Sequence, residues 1–267
     1  SISVMDIYTG DIIAMYSSPS YNPNSFLFGI SQDEWQLIRN NPLKPLINKT
    51  LSGLYSPGST IKPIVALSAL ENKVIDTKFK VKCTGKMELY GQTFHCWKEK
   101  GHGWVSLKNA MKQSCDTYFY EVARLLGVDR LNITAEKFGL GKKVLGDYFD
   151  NEKKGLFPNT KWKKNNLGKG WVLGETLITG IGQGYIQSTP LQLCMMTAQI
   201  ANGGFAVKPK IIVDSNPISY EDAKQSMESG LLFDTDSEEL LDKKLFKNQK
   251  NIKIVQERSE EHTSELQ

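Results

Sequence analysis

The stretch Tyr55-Ser56-Pro57-Gly58-Ser59-Thr60-Ile61-Lys62-Pro63, running on into Ile64-Val65-Ala66-Leu67-Ser68-Ala69-Leu70, decides how the chain reads. Pro57-Gly58 breaks whatever precedes it, and the residues that follow predict a helix whose first turn is Ser59 to Lys62. Residues three apart on a helix share a face, so this spacing brings Ser59 Oγ and the Lys62 amine within reach of each other. A serine hydroxyl is a weak nucleophile until a base takes its proton, and a lysine becomes such a base once burial disfavours its charged form. The helix N-terminus adds N–H donors and the positive dipole end beside the attacked group. The plain alternative is a capping serine next to a solvated lysine. The Pro-Gly stop before the pattern and the apolar helix behind it favour chemistry.

The 267 residues suffice for one large domain or two small ones, and 40% apolar with 23% charged residues is ordinary for a soluble globular protein. A net charge of +4, with no basic stripe interleaved with aromatics, argues against a nucleic-acid partner. No apolar run approaches the roughly 18 residues of a membrane span, and Ser1 opens no signal-peptide pattern. The chain starts in mid-strand without a Met, as an excised piece would. Arg258 to Gln267 is polar, lacks apolar periodicity and resembles a translated sequencing-library adapter. A domain over 1–257 with a non-native tail over 258–267 is therefore expected.

Ile2 to Ile7 and Ile12 to Tyr16 flank a Thr9-Gly10-Asp11 turn and predict a β-hairpin. Asp33 to Asn40 predicts a short helix, and Pro42 to Tyr55 a connector. Val81 to His95 alternates around Gly85 and Gly91 as a small ribbon. Helices are expected from Ser106, over Tyr118 to Leu126, and over Asp129 to Phe138. Lys142 to Gly174 is basic and loop-like, without periodicity. Gly180-Ile181-Gly182-Gln183-Gly184 is glycine-dense but lacks the context of a nucleotide loop. Thr189 caps a helix with Pro190 at its first position, ended by Asn202-Gly203-Gly204. Ala206 to Val213 is strand-like, and Leu240, Leu241 and Leu245 carry helical spacing.

Ser114-Cys115-Asp116 falls between two of these helices. Taken alone, its Ser and Asp are ordinary helix caps. A hydroxyl on such a turn can also reach a catalytic lysine and relay its proton. Ser-x-x-Lys is a signature of penicillin-binding proteins and β-lactamases, and in chain order Ser114-Cys115-Asp116 takes the place of that fold's second motif. The stretches SVMDIYTGDIIAMYSSPSYNPN, YSPGSTIKPIVALSALE, GHGWVSLKNAMKQSCDTYFYEVARLLGVDRL and GIGQGYIQSTPLQL resemble class B penicillin-binding proteins, above all the penicillin-binding protein 2 branch that serves cell elongation. The likeness covers most of Ser1 to about Val213.

That resemblance implies an α+β penicillin-binding-protein/β-lactamase-like fold, an antiparallel sheet with helices beside an all-helical lobe, incomplete at the C-terminus. It implies a peptidoglycan D,D-transpeptidase acting on D-Ala-D-Ala stem peptides, with β-lactams as inhibitors. Ser59 would be the acylated nucleophile, Lys62 its general base and Ser114 the relaying hydroxyl. Asp116 stands where most of the wider superfamily has Asn. The family's third motif, Lys-Ser/Thr-Gly, is absent from the 267 residues; Cys83-Thr84-Gly85 and Ile178-Thr179-Gly180 come near without the Lys. One oxyanion donor, on that strand, is therefore missing from the expected pair. The family also implies an inner-membrane anchor with a periplasmic catalytic domain and a membrane glycosyltransferase partner.

Cys83, Cys96, His102 and Cys115 have the spacing C-x12-C-x5-H-x12-C, and three thiolates with an imidazole make a common structural zinc set. Some penicillin-binding protein 2 relatives resemble this with Asp, Asp, His and Cys at the same intervals, binding zinc. Two thiolates in place of the carboxylates make a softer set. A structural zinc in a ribbon-like insertion over 82–105 is expected, fixing the turn that presents Ser114 and Asp116. A Cys83–Cys96 disulfide, or His95 in place of His102, remains a competing assignment. Cys194 reads as a buried apolar residue. The rival functions are a serine β-lactamase, with no sequence-assignable deacylating base at Glu175 or Asp147, and a silent penicillin-recognising module.

Overall fold

Ile61, Ile64, Val65, Ala66, Leu67 and Ala69 are all completely buried, so the helix behind Lys62 is the central post of the fold. A helix apolar on every side must be surrounded, and this one is. The computed structural model describes residues 1–211 and 248–264, with short pieces at 219, 221–222, 224–225 and 244–246. In chain order the elements are β1 (Ile2–Met5), β2 (Ile12–Tyr16), α1 (Gln32–Asn40), α2 (Lys49–Ser52), α3 (Lys62–Glu71), β3 (Lys80–Cys83), β4 (Lys86–Leu89), β5 (Gln92–His95) and β6 (Gly103–Ser106). Then follow α4 (Leu107–Lys112), α5 (Asp116–Leu126), α6 (Val128–Lys137), α7 (Thr160–Leu167), α8 (Leu173–Thr179), α9 (Pro190–Ala201) and α10 (Gln249–Ser264). The fold is α+β, as expected. Among the described residues the strands form three two-stranded antiparallel ladders, β1–β2, β3–β6 and β4–β5.

α3 packs against α5, α6 and α10, while α9 packs against β1. Tyr118 and Phe119 of α5 fill the space beside α3 and are fully buried. The caps follow the sequence. Ser31 Oγ accepts from Glu34 N at 3.2 Å to start α1. Thr189 and Gln192 bond reciprocally at 3.2 and 2.9 Å to start α9, with Pro190 at its first position.

Four expectations change. The connector Pro42 to Tyr55 contains the single-turn helix α2, capped by Asn48. The stretch Lys142 to Gly174, expected to be loop, contains α7. That helix has no apolar stripe, but Asn159 Oδ1 accepts from Trp162 N at 2.7 Å and Gly168 closes its end at φ +66. Ala206 to Val213 forms no strand in its described part: Lys210 makes only an isolated bridge to Asp11. Lys210 N donates to Gly10 O at 2.9 Å and Lys210 O accepts from Ile12 N at 2.8 Å, while Pro209 has no N–H to lengthen the pairing; Val213 lies outside the described residues. Cys194 is half-buried, its Sγ donating to Ser3 O at 3.6 Å, rather than fully enclosed. Leu240 and Leu241 lie outside the described residues. α10 crosses position 258, the boundary drawn from sequence, without a break.

Candidate active site

Pro57 leads into a 3-10 turn, Gly58–Ile61, and α3 takes over at Lys62. Gly58 N–H donates to Gly182 O at 2.9 Å. The backbones approach so closely that a Cβ on Gly182 would lie 2.0 Å from the Gly58 carbonyl oxygen. The glycine-dense loop at 180–184 is thus the backstop of the turn that carries Ser59.

The spacing argument paired Lys62 directly with Ser59, and the geometry corrects it. Lys62 is 2% exposed. Its Nζ donates to Ser114 O at 2.9 Å, Ser114 Oγ at 2.9 Å and Asp116 Oδ1 at 2.7 Å. An ammonium has three donors, and here all three are taken. A carboxylate is the strongest acceptor on offer, so the amine leans toward α5. Its link to Ser59 runs through Ser114 Oγ, 3.0 Å from Ser59 Oγ. The Phe119 ring centroid lies 5.4 Å from Nζ and closes the inner side.

Ser114 owes its placement to the way α4 ends. It adopts φ +50, left-handed for a residue with a Cβ. Ser114 N donates to Met111 O at 3.2 Å and Cys115 N to Ala110 O at 2.9 Å, the paired bonds of a Schellman C-cap. The turn directs both the hydroxyl and the carbonyl of Ser114 at Lys62. Asp116 then opens α5, where the helix dipole favours a carboxylate, and its Oδ2 accepts from Trp97 N at 3.1 Å. The capping assigned to Ser and Asp as the plain alternative is not what they do: Cys115 holds the N-cap position of α5, without a side-chain cap bond.

Ser59 faces a cleft of about 440 Å³ lined by His95, Trp97, Asp116, Tyr120, Ile181 and Gln183. Glu175, weighed from sequence as a deacylating base, is engaged elsewhere. It pairs with Lys163, accepts from Val172 N at 3.0 Å and from Tyr185 OH at 3.3 Å. It is not among the residues lining that cleft.

The second cluster stands directly behind. The ligand atoms of Cys83, Cys96, His102 and Cys115 all lie within 4.8 Å of one another. Cys83 comes from the end of β3, Cys96 follows β5, His102 precedes β6 and Cys115 precedes α5. His102 Nδ1 is 3.5 Å from Cys83 Sγ and 3.6 Å from Cys96 Sγ. A tetrahedral zinc, at about 2.3 Å from sulfur and about 2.0–2.1 Å from nitrogen, separates S and N by about 3.5 Å. All four cysteines are free, so the Cys83–Cys96 disulfide is not formed, and His95 lines the Ser59 cleft instead of joining the set. Burial pushes the Cys83 thiol up, but bonds to the Thr117 hydroxyl, the Gly85 N–H and His102 outweigh it and bring it down to about 6. Burial pushes Cys115 up.

Ser59, Lys62, Ser114 and Asp116 therefore converge, as do the four metal-type ligands. Sequence reasoning gave Trp97 and Gly182 no part in the site. Adjacency to Cys96 was the available signal for the first, and the Gly-x-Gly-x-Gly density for the second.

Residues 1–254 match the family model "Penicillin binding protein transpeptidase domain". The chain is 41% identical over 214 residues to the peptidoglycan D,D-transpeptidase MrdA of Acinetobacter baumannii, covering 79% of this chain and 32% of that protein. It is 37% identical over 227 residues to the MrdA of Escherichia coli K12, covering 84% of this chain and 35% of that protein. The chain thus spans about a third of the length of the curated relatives it matches. Among solved structures, Pseudomonas aeruginosa PBP2 in complex with WCK 5153 superposes with a TM-score of 0.75 at 41% identity, covering 85% of this chain and 55% of that one. Helicobacter pylori PBP2, in its complex with MreC, gives 0.76 at 34% identity, covering 85% and 43%.

Proposed function

The chain belongs to the penicillin-binding protein transpeptidase family, and from that premise we propose that it carries the acyl-transfer centre of a peptidoglycan D,D-transpeptidase. The observation that carries the reading is the relay Ser59 Oγ to Ser114 Oγ to Lys62 Nζ, at 3.0 and 2.9 Å. For acylation the relay runs from the nucleophile inward. Lys62, as the amine, accepts a proton from Ser114 Oγ while Ser114 Oγ accepts one from Ser59. Ser59 Oγ bonds to the carbonyl carbon of the penultimate D-Ala, and the C–N bond to the terminal D-Ala breaks. The proton returns along the same path to the leaving amine. An amine from a neighbouring stem peptide then attacks the ester and restores Ser59. Ser59 N–H, in the first turn of its helix with no intrahelical acceptor, supplies an oxyanion donor. Asp116 anchors Lys62 and keeps the relay aligned. A β-lactam would acylate the same hydroxyl.

Cys83, Cys96, His102 and Cys115 would hold a zinc ion. Their convergence, their burial and the 3.5 and 3.6 Å S–N distances support it. Its role would be to tie β3, β5 and β6 to the head of α5. The engagement of Glu175 with Lys163 favours transpeptidation over hydrolysis of the acyl-enzyme. The same proposal includes an inner-membrane anchor with the catalytic domain in the periplasm, stem-peptide substrates and a membrane glycosyltransferase partner, on the strength of the family resemblance. No helix among the described residues is long and apolar enough to cross a membrane.

The test is a fluorescent penicillin applied to the full-length protein that carries this chain. Stable labelling that disappears in Ser59→Ala is the expected result. Rapid turnover of the label would establish a β-lactamase instead, and no labelling would end the enzyme reading.

A further inference from the structure

Trp97 is 64% exposed, yet both of its N–H groups point into the protein. Its main-chain N–H donates to Asp116 Oδ2 at 3.1 Å. Its indole Nε1–H is shared between Gln113 O and Ser114 O, each at 3.1 Å. The edge of its ring meets the His102 ring at a centroid distance of 5.4 Å. An indole at a cleft mouth can give its N–H to water at no cost. This one gives it to a carbonyl that already receives Lys62 Nζ at 2.9 Å. Trp97 and Lys62 therefore bond the same two groups, the Ser114 carbonyl and the Asp116 carboxylate.

We propose that Trp97 is a positioning residue for acylation, clamping the Ser114 carbonyl and the Asp116 carboxylate in the pose that sets Ser114 Oγ between Lys62 and Ser59. The inference rests on the transpeptidase reading and adds a residue that reading does not use. Ser114 is held at φ +50, which a residue with a Cβ resists. The Schellman bonds fix its N–H side, to Met111 O and onward through Cys115 to Ala110 O. Among the described residues its carbonyl side is held by Lys62 and Trp97 alone. Lys62 changes charge during the cycle. As the ammonium it makes a charge-assisted bond to the Ser114 carbonyl; as the amine it makes a neutral one there, roughly half as strong. Trp97 carries no such change. It holds the Ser114 turn during the half-cycle in which the grip of Lys62 weakens, which is when proton transfer needs the geometry most. The clamp also gives the cysteine ribbon a route to the chemistry, since Trp97 follows Cys96 directly in the chain.

The test replaces the donor and keeps the ring. Trp97→Phe retains an aromatic face toward His102. A 3-benzothienylalanine installed at position 97 retains the bicyclic shape and lacks only the N–H. In both, the main-chain bond to Asp116 survives. Acylation of the full-length protein by fluorescent penicillin, measured against concentration, separates the binding constant from the acylation rate constant. The rate constant is expected to fall about fivefold to tenfold, the loss of one positioned neutral hydrogen bond. Penicillin binding, Tm and metal content should stay at wild-type values. Unchanged rate constants in both variants would overturn the proposal. So would a loss confined to binding, which makes Trp97 a substrate contact, or a loss that tracks Tm or metal content, which makes it a structural prop. A second readout needs no activity. The Trp97 indole N–H resonance, assigned by its absence in Trp97→Phe, should exchange slowly with solvent despite the exposed ring; fast exchange would overturn the geometry. If wild type takes no label at all, the transpeptidase reading fails and the exchange measurement still decides whether the clamp exists.

Discussion

Replacing Gly182 by alanine attacks the nucleophile without touching it. The added methyl would lie 2.0 Å from Gly58 O, 2.6 Å from Gly58 C and 2.7 Å from Gly58 N. All three are backbone atoms, so no side chain can swing aside. Position 182 also holds φ +76, which costs a residue with a Cβ about 1–2 kcal/mol. Separating the two segments breaks the 2.9 Å bond from Gly58 N to Gly182 O, a further loss of about 1 kcal/mol. The sum, about 2–3 kcal/mol, lowers Tm by roughly 5–10 °C in a chain of this size. The rate should suffer more than the stability. Relieving the contact to ordinary van der Waals distance moves Gly58, and Ser59 with it, by more than about 1 Å, and a displacement of that order costs about 100-fold. The assay pairs a melting curve with a time course of fluorescent penicillin labelling. Gly168→Ala is the control, because Gly168 has φ +66 but nothing within 4 Å of its Cβ position. It should lose Tm and keep its rate. If Gly182→Ala labels as fast as Gly168→Ala, the backstop argument is wrong.

Lys62→Arg should fail to restore acylation, falling about 100-fold or more by the same assay, because a guanidinium cannot act as the accepting base. Treating the full-length protein with a strong chelator should lower Tm and slow labelling together, with both recovered by added zinc; a chelated protein unchanged in both would remove the metal from the account. At Glu175, burial pushes the carboxyl up, but the Lys163 ammonium, the Val172 N–H and the Tyr185 hydroxyl outweigh it and hold it below its ordinary 4.5. A carboxyl depressed by folding stabilises above its unfolded value and loses that contribution as acid titrates the folded one. The stability gap between wild type and Glu175→Gln, read from urea curves, should therefore close progressively as pH falls below 4.5.

The elements most legible in the sequence were those fixed by local chemistry. Thr189-Pro190 announced α9 because capping and a pre-set φ act within one turn. The Ser59, Lys62, Ser114 and Asp116 set, like the four metal-type ligands, was legible through the resemblance to class B penicillin-binding proteins, and the structure brings each set together. Who bonds whom was not legible. The contact of Lys62 with Ser114 rather than Ser59 depends on a carboxylate arriving from α5. That competition between acceptors is invisible to a spacing rule. α7 escaped notice because its stability lies in the Asn159 cap and the buried Lys163–Glu175 pair, not in an apolar stripe. Over the described part of Ala206 to Val213 the alternation yields only a bridge from Lys210 to Asp11, because Pro209 has no N–H to carry a ladder further. Trp97 and Gly182 matter through close approaches between segments far apart in sequence, which no window of residues contains.

The C-cap that carries Ser114 bears on which substitutions the chain can accept over generations. Helices that end this way ordinarily recruit glycine at the left-handed position. Here the position must also supply a hydroxyl on Cβ. Glycine and asparagine accept φ +50 but bring no such hydroxyl, while threonine brings it on a branched carbon that fits the conformation poorly. Serine is the one common side chain that meets both demands. A population drifting through sequence space would find almost no passable neighbour at position 114, and any lineage that keeps the relay must keep this residue or rebuild the end of α4.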